Sequence, residues 1–338
     1  MKTIRIEEPG KVLLAEAERP APAKEEILLH VKYVGFCGSD LSTYLGKNPL
    51  VRYPRVPGHE ISGVIEALGA GVPGGFEEGE AVTVVPYTSC GQCPSCRRGR
   101  SHACQFNQTL GVQRDGAMQE YIAVHWKKIL KAPALGELEL AMVEPLTVGF
   151  HAIERGRVSG NDTVMVLGCG MIGAGAIAGA ALRGARVVAV DIDRMKLNLA
   201  TELGARHTLN ATGADFGLEL MKLTGGNGPD VVVEAAGDPV TYRQAVEQVA
   251  FTGRVVCIGY AGSDVRLPTK LFVQKELDIL GSRNAAPEDF SAVISYLEQG
   301  TFPLDAVITR SVSPEDAGEA LAGWASDPGK VMKILVKF

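Results

Sequence analysis

No apolar run in this chain reaches the ~18 residues a membrane-spanning helix needs. Its start, MKTIRIEEPG, lacks the basic, apolar and small-residue order of a secretory signal. The chain therefore reads as cytoplasmic, with no membrane partner. Positive charge is not in excess either: 34 Lys and Arg against 39 Asp and Glu give a formal net charge of −5. That balance leaves no basic footprint for nucleic acid or an anionic lipid surface. Internal repeats and low-complexity stretches are missing. Cysteine is sparse, 7 in 338 residues, and four of the seven are crowded into one short stretch.

What is there is the composition of an ordinary globular protein, 46% hydrophobic and 22% charged, long enough for two domains. The chain is organised around residues 161–193, NDTVMVLGCGMIGAGAIAGAALRGARVVAVDID. Thr163 to Leu167 is an apolar run too short for a helix and suited to a strand buried on both faces. Gly168-Cys169-Gly170-Met171-Ile172-Gly173 follows, then small residues at helical spacing, then the strand Arg186 to Val190 ending on Asp191. In such a βαβ unit Gly168 permits the tight turn, Gly170 lets backbone approach a pyrophosphate, and Gly173 lets helix lie near strand. Free N–H groups at the helix start, around Met171 and Ile172, face that pyrophosphate. A glycine turn that merely packs a helix on a sheet would have the same three glycines, but not the acidic residue about 20 positions on. Asp191 points to NAD, because a carboxylate there accepts from the ribose hydroxyls and repels the extra phosphate of NADP. Arg194 lies close enough in sequence to soften that repulsion, so NADP stays open.

Up to about residue 146 short alternating runs (MKTIRI, EILLHVKYVGF, ISGVIEAL, AVTVVPY, EYIAVHWKKIL) predict a mainly β, barrel-like domain. Residues 147–286 alternate strands with helical stretches. Strands are expected at Thr163–Leu167, Arg186–Val190, Arg206–Leu209, Asp230–Ala235, Arg254–Gly259 and Leu277–Leu280, six in all, as in a doubly wound parallel Rossmann sheet. Beyond Pro287 come a helix ending at Gly300, a strand over DAVITRSV, a helix capped by Ser313, and a final strand, VMKILVKF. A terminal strand without a helical partner returns to the first domain. The division is thus 1–146 with 287–338, and 147–286. The strand at Leu277–Leu280 is an apolar sheet edge, which predicts a homodimer or homotetramer.

Cys90, Cys93, Cys96 and Cys104 form a C-x2-C-x2-C-x7-C cluster within a polar lobe, about residues 88–105. In a reducing compartment that spacing binds metal; four soft thiolates suit zinc or an iron–sulfur cluster and close a structural site. A second set is spread out: Cys37 in GFCGSD, His59 and Glu60 in PGHEISG, Glu144 in VEPLTVGFHA. Singly, each has an ordinary reading, Cys37 as a small buried hydrophobe, His59 as a polar residue at a strand end, Glu144 as a helix-start acid. Beside a dinucleotide fold they also suit a shared catalytic metal, since zinc with three protein ligands keeps one position for an alcohol oxygen.

Taken in order, GFCGSD, YPRVPGHE, the four-cysteine lobe, EPLTVGFHA, VLGCGMIG and VVAVD resemble the zinc-dependent medium-chain alcohol dehydrogenases, of the sorbitol and threonine dehydrogenase branch. The match runs over essentially the whole chain. The resemblance implies two zinc ions per chain and hydride transfer from an alcohol carbon to the nicotinamide. It implies Cys37, His59 and Glu144 around the catalytic zinc, Glu60 beside it, Asp40 orienting His59, and Ser39 taking the alcohol proton. Where the family usually places a histidine three residues after that hydroxyl, this chain has Ser42, so the proton is expected to leave through Ser42 and water. Lys333 matches a basic family position near the pyrophosphate, although a lone lysine in a terminal strand is ordinarily solvated.

KELDILGSRNAAPEDF and the stretch from Tyr87 to Tyr121 resemble bacterial sugar-acid dehydrogenases that oxidise the C5 hydroxyl of L-galactonate or L-gulonate. In the sorbitol branch an arginine at the place of Arg283 lies by the nicotinamide and substrate. Arg283 and Arg114 are therefore candidate partners for a substrate carboxylate, while Arg52 and Arg55 read as surface salt-bridge residues. Competing readings are a neutral polyol dehydrogenase, a threonine dehydrogenase, and a metal-bearing relic without chemistry.

Overall fold

The structure is a computed structural model that describes residues 1–213 and 216–338. In chain order the strands are β1 (Lys2–Glu8), β2 (Lys11–Glu16), β3 (Glu26–Gly35), β4 (Glu60–Leu68), β5 (Ala81–Val84), β6 (Tyr121–His125), β7 (Ile129–Lys131), β8 (Thr163–Leu167), β9 (Arg186–Asp191), β10 (His207–Asn210), β11 (Val231–Glu234), β12 (Arg254–Cys257), β13 (Asp278–Gly281), β14 (Ile308–Val312) and β15 (Lys333–Lys337). The helices used below are α1 (Gly38–Tyr44), α2 (Glu137–Arg155) and α3 (Met171–Leu182). The chain forms two compact units, residues 1–144 with 294–338, and residues 145–293.

In the first unit a seven-stranded sheet runs β14-β15-β3-β4-β5-β7, with β6 also on β3, and β1 and β2 pair separately as an antiparallel ribbon. The ten-residue β3 is long enough to serve three neighbours. Its first half pairs with β6 (Glu26↔His125), its end with β15 (Leu335↔Gly35), and its other edge with β4 (Gly35↔Glu60). The inward residues of these strands, among them Ile27, Leu29, Val31, Ile61, Ile65, Val82 and Leu335, are fully buried or nearly so. Each such side chain contributes about 1.5–3 kcal/mol of burial.

The second unit carries a six-stranded parallel sheet, β10-β9-β8-β11-β12-β13. Val164 through Leu167 of β8 are 0% exposed, as a continuous apolar strand covered on both faces requires. The switch in strand order lies between β8 and β11, at the carboxyl ends of which a ligand crevice is expected in such sheets.

Three local expectations are corrected, and one strand that none of them named is present. EYIAVHWKKIL is not one strand: the His125 side chain accepts from Lys127 N–H (3.1 Å) and caps a 3-10 turn at Trp126–Lys128, so β6 joins β3 while β7 joins β5. KVLLAE forms the strand β2 against β1, hidden from a search for alternation because its pattern is weak. In DAVITRSV, Leu304–Val307 is a helical turn and only Ile308–Val312 is strand. Ser313 caps no helix; its hydroxyl donates to Asp316 (2.8 Å) within a turn and the helix spans Ala317–Ser326, with Asp316 at its start.

Candidate active site and metal centres

The nucleotide half is built by backbone. Gly168 has φ +90, and a Cβ on Gly173 would lie 1.9 Å from the Gly168 carbonyl oxygen, so turn and helix approach as only glycine allows. Gly170 precedes α3 in extended conformation, with no side chain capping the helix, and a Cβ there would meet nothing within 4 Å. That is a cradle with free N–H groups and open room, which fits a pyrophosphate. Asp191 is held at the end of β9: Oδ2 accepts from Cys169 N–H (2.7 Å) and Oδ1 from Asp193 N–H (2.9 Å). One lone pair on each oxygen is left for ribose hydroxyls. Arg283 follows β13 in the same unit and is half-buried.

In the lobe, the Sγ atoms of Cys90, Cys93, Cys96 and Cys104 all lie within 4.8 Å of one another. Cys93 Sγ is 3.4 Å from Cys96 Sγ and 3.8 Å from Cys104 Sγ. A tetrahedron with Zn–S of about 2.3 Å requires S···S near 3.8 Å, so the donors fit zinc without rearrangement. Backbone N–H groups of Cys93 and of Cys90 and Phe106 point at Cys90 and Cys104 sulfurs, each at 3.3 Å, and backbone hydrogen bonds lower the Cys90 pKa. All seven cysteines are free of disulfides.

The second set converges in the first unit. Cys37 sits at the N-terminus of α1, and His59 and Glu60 lead into β4. Cys37 Sγ, a ring nitrogen of His59 and a carboxylate oxygen of Glu60 lie within 4.8 Å of one another; Glu144 is not part of that triple, though its charge acts on His59. His59, Glu60 and Glu144 are at most 5% exposed. Burial alone would lower the His59 pKa, but the neighbouring Cys37 sulfur, then Glu144 and Asp40, hold it well above the ordinary imidazole value. Burial likewise raises Asp40 and Glu144. So much buried negative charge around one histidine, whose Nδ1 has no hydrogen-bond partner among the described residues, fits a divalent cation.

Asp40 does not meet the His59 ring as expected. Its carboxylate accepts from Cys37 N–H (2.9 Å) and Gly58 N–H (3.2 Å), so it ties together the two segments that carry the candidate ligands and orients His59 only through the backbone. Ser39 Oγ is buried and unpartnered among the described residues, so no direct Ser39–Ser42 link exists. Arg55 is paired with Asp115 (2.8 Å) and Arg52 is exposed.

Two residues of the site have partners that no sequence motif named. Lys333, 2% exposed, is not solvated: its Nζ donates to Glu60 Oε1 (2.7 Å) and Oε2 (2.5 Å) and to the Phe36 carbonyl (3.2 Å). Gly35 opposite makes room, since a Cβ there would strike Glu60 Oε2 at 1.9 Å. A charged residue in an otherwise buried run of β15 was the available signal. Tyr87, in VVPYTSC, donates its hydroxyl to Glu144 Oε1 across 57 positions of sequence, and nothing local announces that contact.

Arg114 lies on the loop before β6. Gly116, Ala117 and Met118 of that loop donate to the carbonyls of Val56, Gly58 and Pro57 (2.8–3.0 Å), the segment ending at His59. Burial lowers the pKa of both Arg114 and Lys128, Lys128 also through the Arg114 charge, and among the described residues neither has an ion-pair partner. Arg114 Nε is buried without a hydrogen bond.

Among the described residues no helix is long and apolar enough to cross a membrane. Residues 23–134 match the alcohol dehydrogenase GroES-like domain, and residues 172–299 match the zinc-binding dehydrogenase domain. The chain is 34% identical to L-galactonate-5-dehydrogenase of Escherichia coli K12, covering 91% of each chain. It is 31% identical to a sorbitol dehydrogenase of Halalkalibacterium halodurans, covering 97% of this chain and 96% of that one. An alcohol dehydrogenase of Escherichia coli CFT073 crystallised with NADH superposes with TM-score 0.90 at 32% identity, over 100% of this chain and 99% of the other.

Proposed function

The chain belongs to the zinc-type medium-chain alcohol dehydrogenase family, and from that premise we propose that it oxidises a secondary alcohol of a sugar acid, L-galactonate- or L-gulonate-like, with NAD. In this reading residues 1–146 and 287–338 are the catalytic part and 147–286 the NAD-binding part. Cys37, His59 and Glu144 hold the catalytic zinc and the four lobe cysteines hold the structural one. Zinc bound there supplies Lewis-acid character toward a hydroxyl oxygen, and the nicotinamide supplies the hydride acceptor. The protein's own residues do the rest. Ser39 Oγ, with no hydrogen-bond partner among the described residues, takes the hydroxyl proton as it releases its own to water, and Ser42, half-buried on the same helix, hands it on to solvent. Asp191, fixed by two N–H groups, receives the ribose.

The observation that carries the acid reading is the half-buried Arg114, without an ion pair among the described residues and with Lys128 beside it, on a loop bonded to the segment before His59. Half-buried cations without a counter-charge among the described residues favour an anionic ligand; Arg283 is the second candidate on the family resemblance alone. A panel of aldonates and alditols of equal length, run with NAD and NADP, tests both halves. A charge-assisted bond is worth about 1.5–3 kcal/mol, roughly ten- to a hundredfold in kcat/KM, in favour of the aldonate, and Arg114→Gln should erase that margin while sparing alditols. NAD should be clearly preferred. Turnover confined to uncharged polyols would sink the acid reading, and equal efficiency with NADP the reading of Asp191.

The cytoplasmic setting rests on the free cysteines. Association into a homodimer or homotetramer is supported by β13, the sheet's last strand, whose Ile279 is 40% exposed. Light scattering should return at least twice the 35.8 kDa chain mass; a monomer at micromolar concentration contradicts it.

A further inference from the structure

β11 is apolar and fully buried from Val231 through Val233, and it ends on Glu234, which is also 0% exposed. A fourth valine would be buried there at far less cost, because a carboxyl gives up its hydration. Burial raises the Glu234 pKa, opposed by hydrogen bonds from Thr241, Gly237, Ala236 and Asp238. Its Oε1 accepts from the N–H groups of Ala236 (3.0 Å) and Gly237 (2.8 Å). The Thr241 hydroxyl divides its one proton between that oxygen (2.7 Å) and the Asp238 carbonyl (2.8 Å). Ala236 is itself exposed, so backbone that water could serve is drawn inward instead. The loop held in this way is packed on both sides. Toward β8, Ala235 N–H donates to the Leu167 carbonyl (2.9 Å), and a Cβ on Gly168 would lie 2.9 Å from the Ala236 nitrogen. Toward β12, the Glu234 carbonyl accepts from Ile258 N–H (2.9 Å) and Gly259 N–H (3.1 Å). A Cβ on Gly259 would lie 2.3 Å from the Gly237 nitrogen and 2.8 Å from Glu234 Oε2, and the Tyr242 hydroxyl donates to the Gly259 carbonyl. The strand order switches between β8 and β11, so these loops stand where the crevice is expected, next to the Gly168 turn.

We infer that Glu234 is a positioning residue for the dinucleotide: its buried carboxyl gathers the Ala236–Gly237 backbone against Gly168 and so sets one wall of the crevice in its binding shape. A wall fixed in advance leaves less ordering for the cofactor to impose, which raises affinity without a new contact. The inference rests on the reading of Gly168–Gly173 as the dinucleotide cradle. It adds a residue that acts through the loop it holds, on the opposite side of the strand switch from the glycine turn and Asp191.

The test uses the full-length protein as wild type, Glu234→Leu, which removes the acceptor, and Glu234→Gln, which keeps an acceptor oxygen in its place. NADH affinity is measured by calorimetric titration, and stability by denaturant unfolding. If the set wall is populated in only about 1–10% of Glu234→Leu molecules, NADH binds about 100- to 10-fold more weakly. Glu234→Gln should bind within about threefold of wild type. A role confined to stability would move the unfolding midpoint of Glu234→Leu and leave its NADH affinity alone, and that result would overturn the inference. Equal weakening in the Leu and Gln variants would overturn it too, since the acceptor would not be what matters. A wild-type protein that binds neither NADH nor NADPH would remove the cradle reading as well. Should Glu234→Leu not fold, hydrogen exchange of the cofactor-free wild type decides. Amides of Ala236 and Gly237 exchanging as slowly as those of β11 are expected, and exchange at open-loop rates until NADH is added refutes the inference.

Discussion

His59→Ala is expected to leave one zinc per chain in place of two and to lower kcat/KM by roughly 10³–10⁴-fold. That corresponds to about 4–6 kcal/mol, the scale of Lewis-acid stabilisation. The argument is one of charge and geometry. His59 lies among buried acids, its Nδ1 makes no hydrogen bond among the described residues, and Cys37 and Glu60 lie within 4.8 Å of it. Alanine removes the proposed ligand and its hydrogen bond with Cys37, while Nδ1 has no hydrogen bond among the described residues to lose. The backbone around it stays fixed, because Asp40 holds Gly58 N–H and Cys37 N–H. The far-ultraviolet circular dichroism should therefore match wild type. Two zincs retained in the variant, or activity within tenfold, would show that His59 is not a ligand.

The second large effect falls on stability. Lys333→Met should destabilise the first unit by about 3–5 kcal/mol, since it strands Glu60 at 1% exposure without its cation. Pairing it with Glu60→Gln should recover much of that loss, because the cost lies in the uncompensated charge and not in the missing contact. Denaturant unfolding of the two single variants and the double variant measures this coupling. Purely additive effects would mean that Lys333 and Glu60 do not depend on one another.

How far the sequence could be read follows from how local each feature is. The Gly168–Gly173 turn, the flanking strands and Asp191 sit within one βαβ unit, so spacing along the chain is spacing in the fold. The four cysteines are similarly local. Cys37, His59 and Glu144 are separated by up to 107 positions, and only the family resemblance joined them; the first two converge through the β3–β4 register, Gly35↔Glu60. The partners of Tyr87 and Lys333 were out of reach for the same reason, each meeting its carboxylate through tertiary packing alone. Asp40 shows a subtler limit. Its presence near His59 was legible, but its target was backbone, because a carboxylate at the third position of a helix bonds back to the N–H before the first turn. At Trp126–Lys128 an alternating apolar pattern was interrupted by a histidine cap that periodicity does not register.

The central claim is that a zinc ion is held by Cys37 and His59 with a buried carboxylate, in addition to the one in the cysteine lobe. Anomalous diffraction recorded on both sides of the zinc absorption edge tests it most directly. Two peaks per chain are predicted, one enclosed by Cys90, Cys93, Cys96 and Cys104 and one in contact with Cys37 and His59. A single peak, in the lobe alone, from protein grown and purified with zinc present would contradict the account.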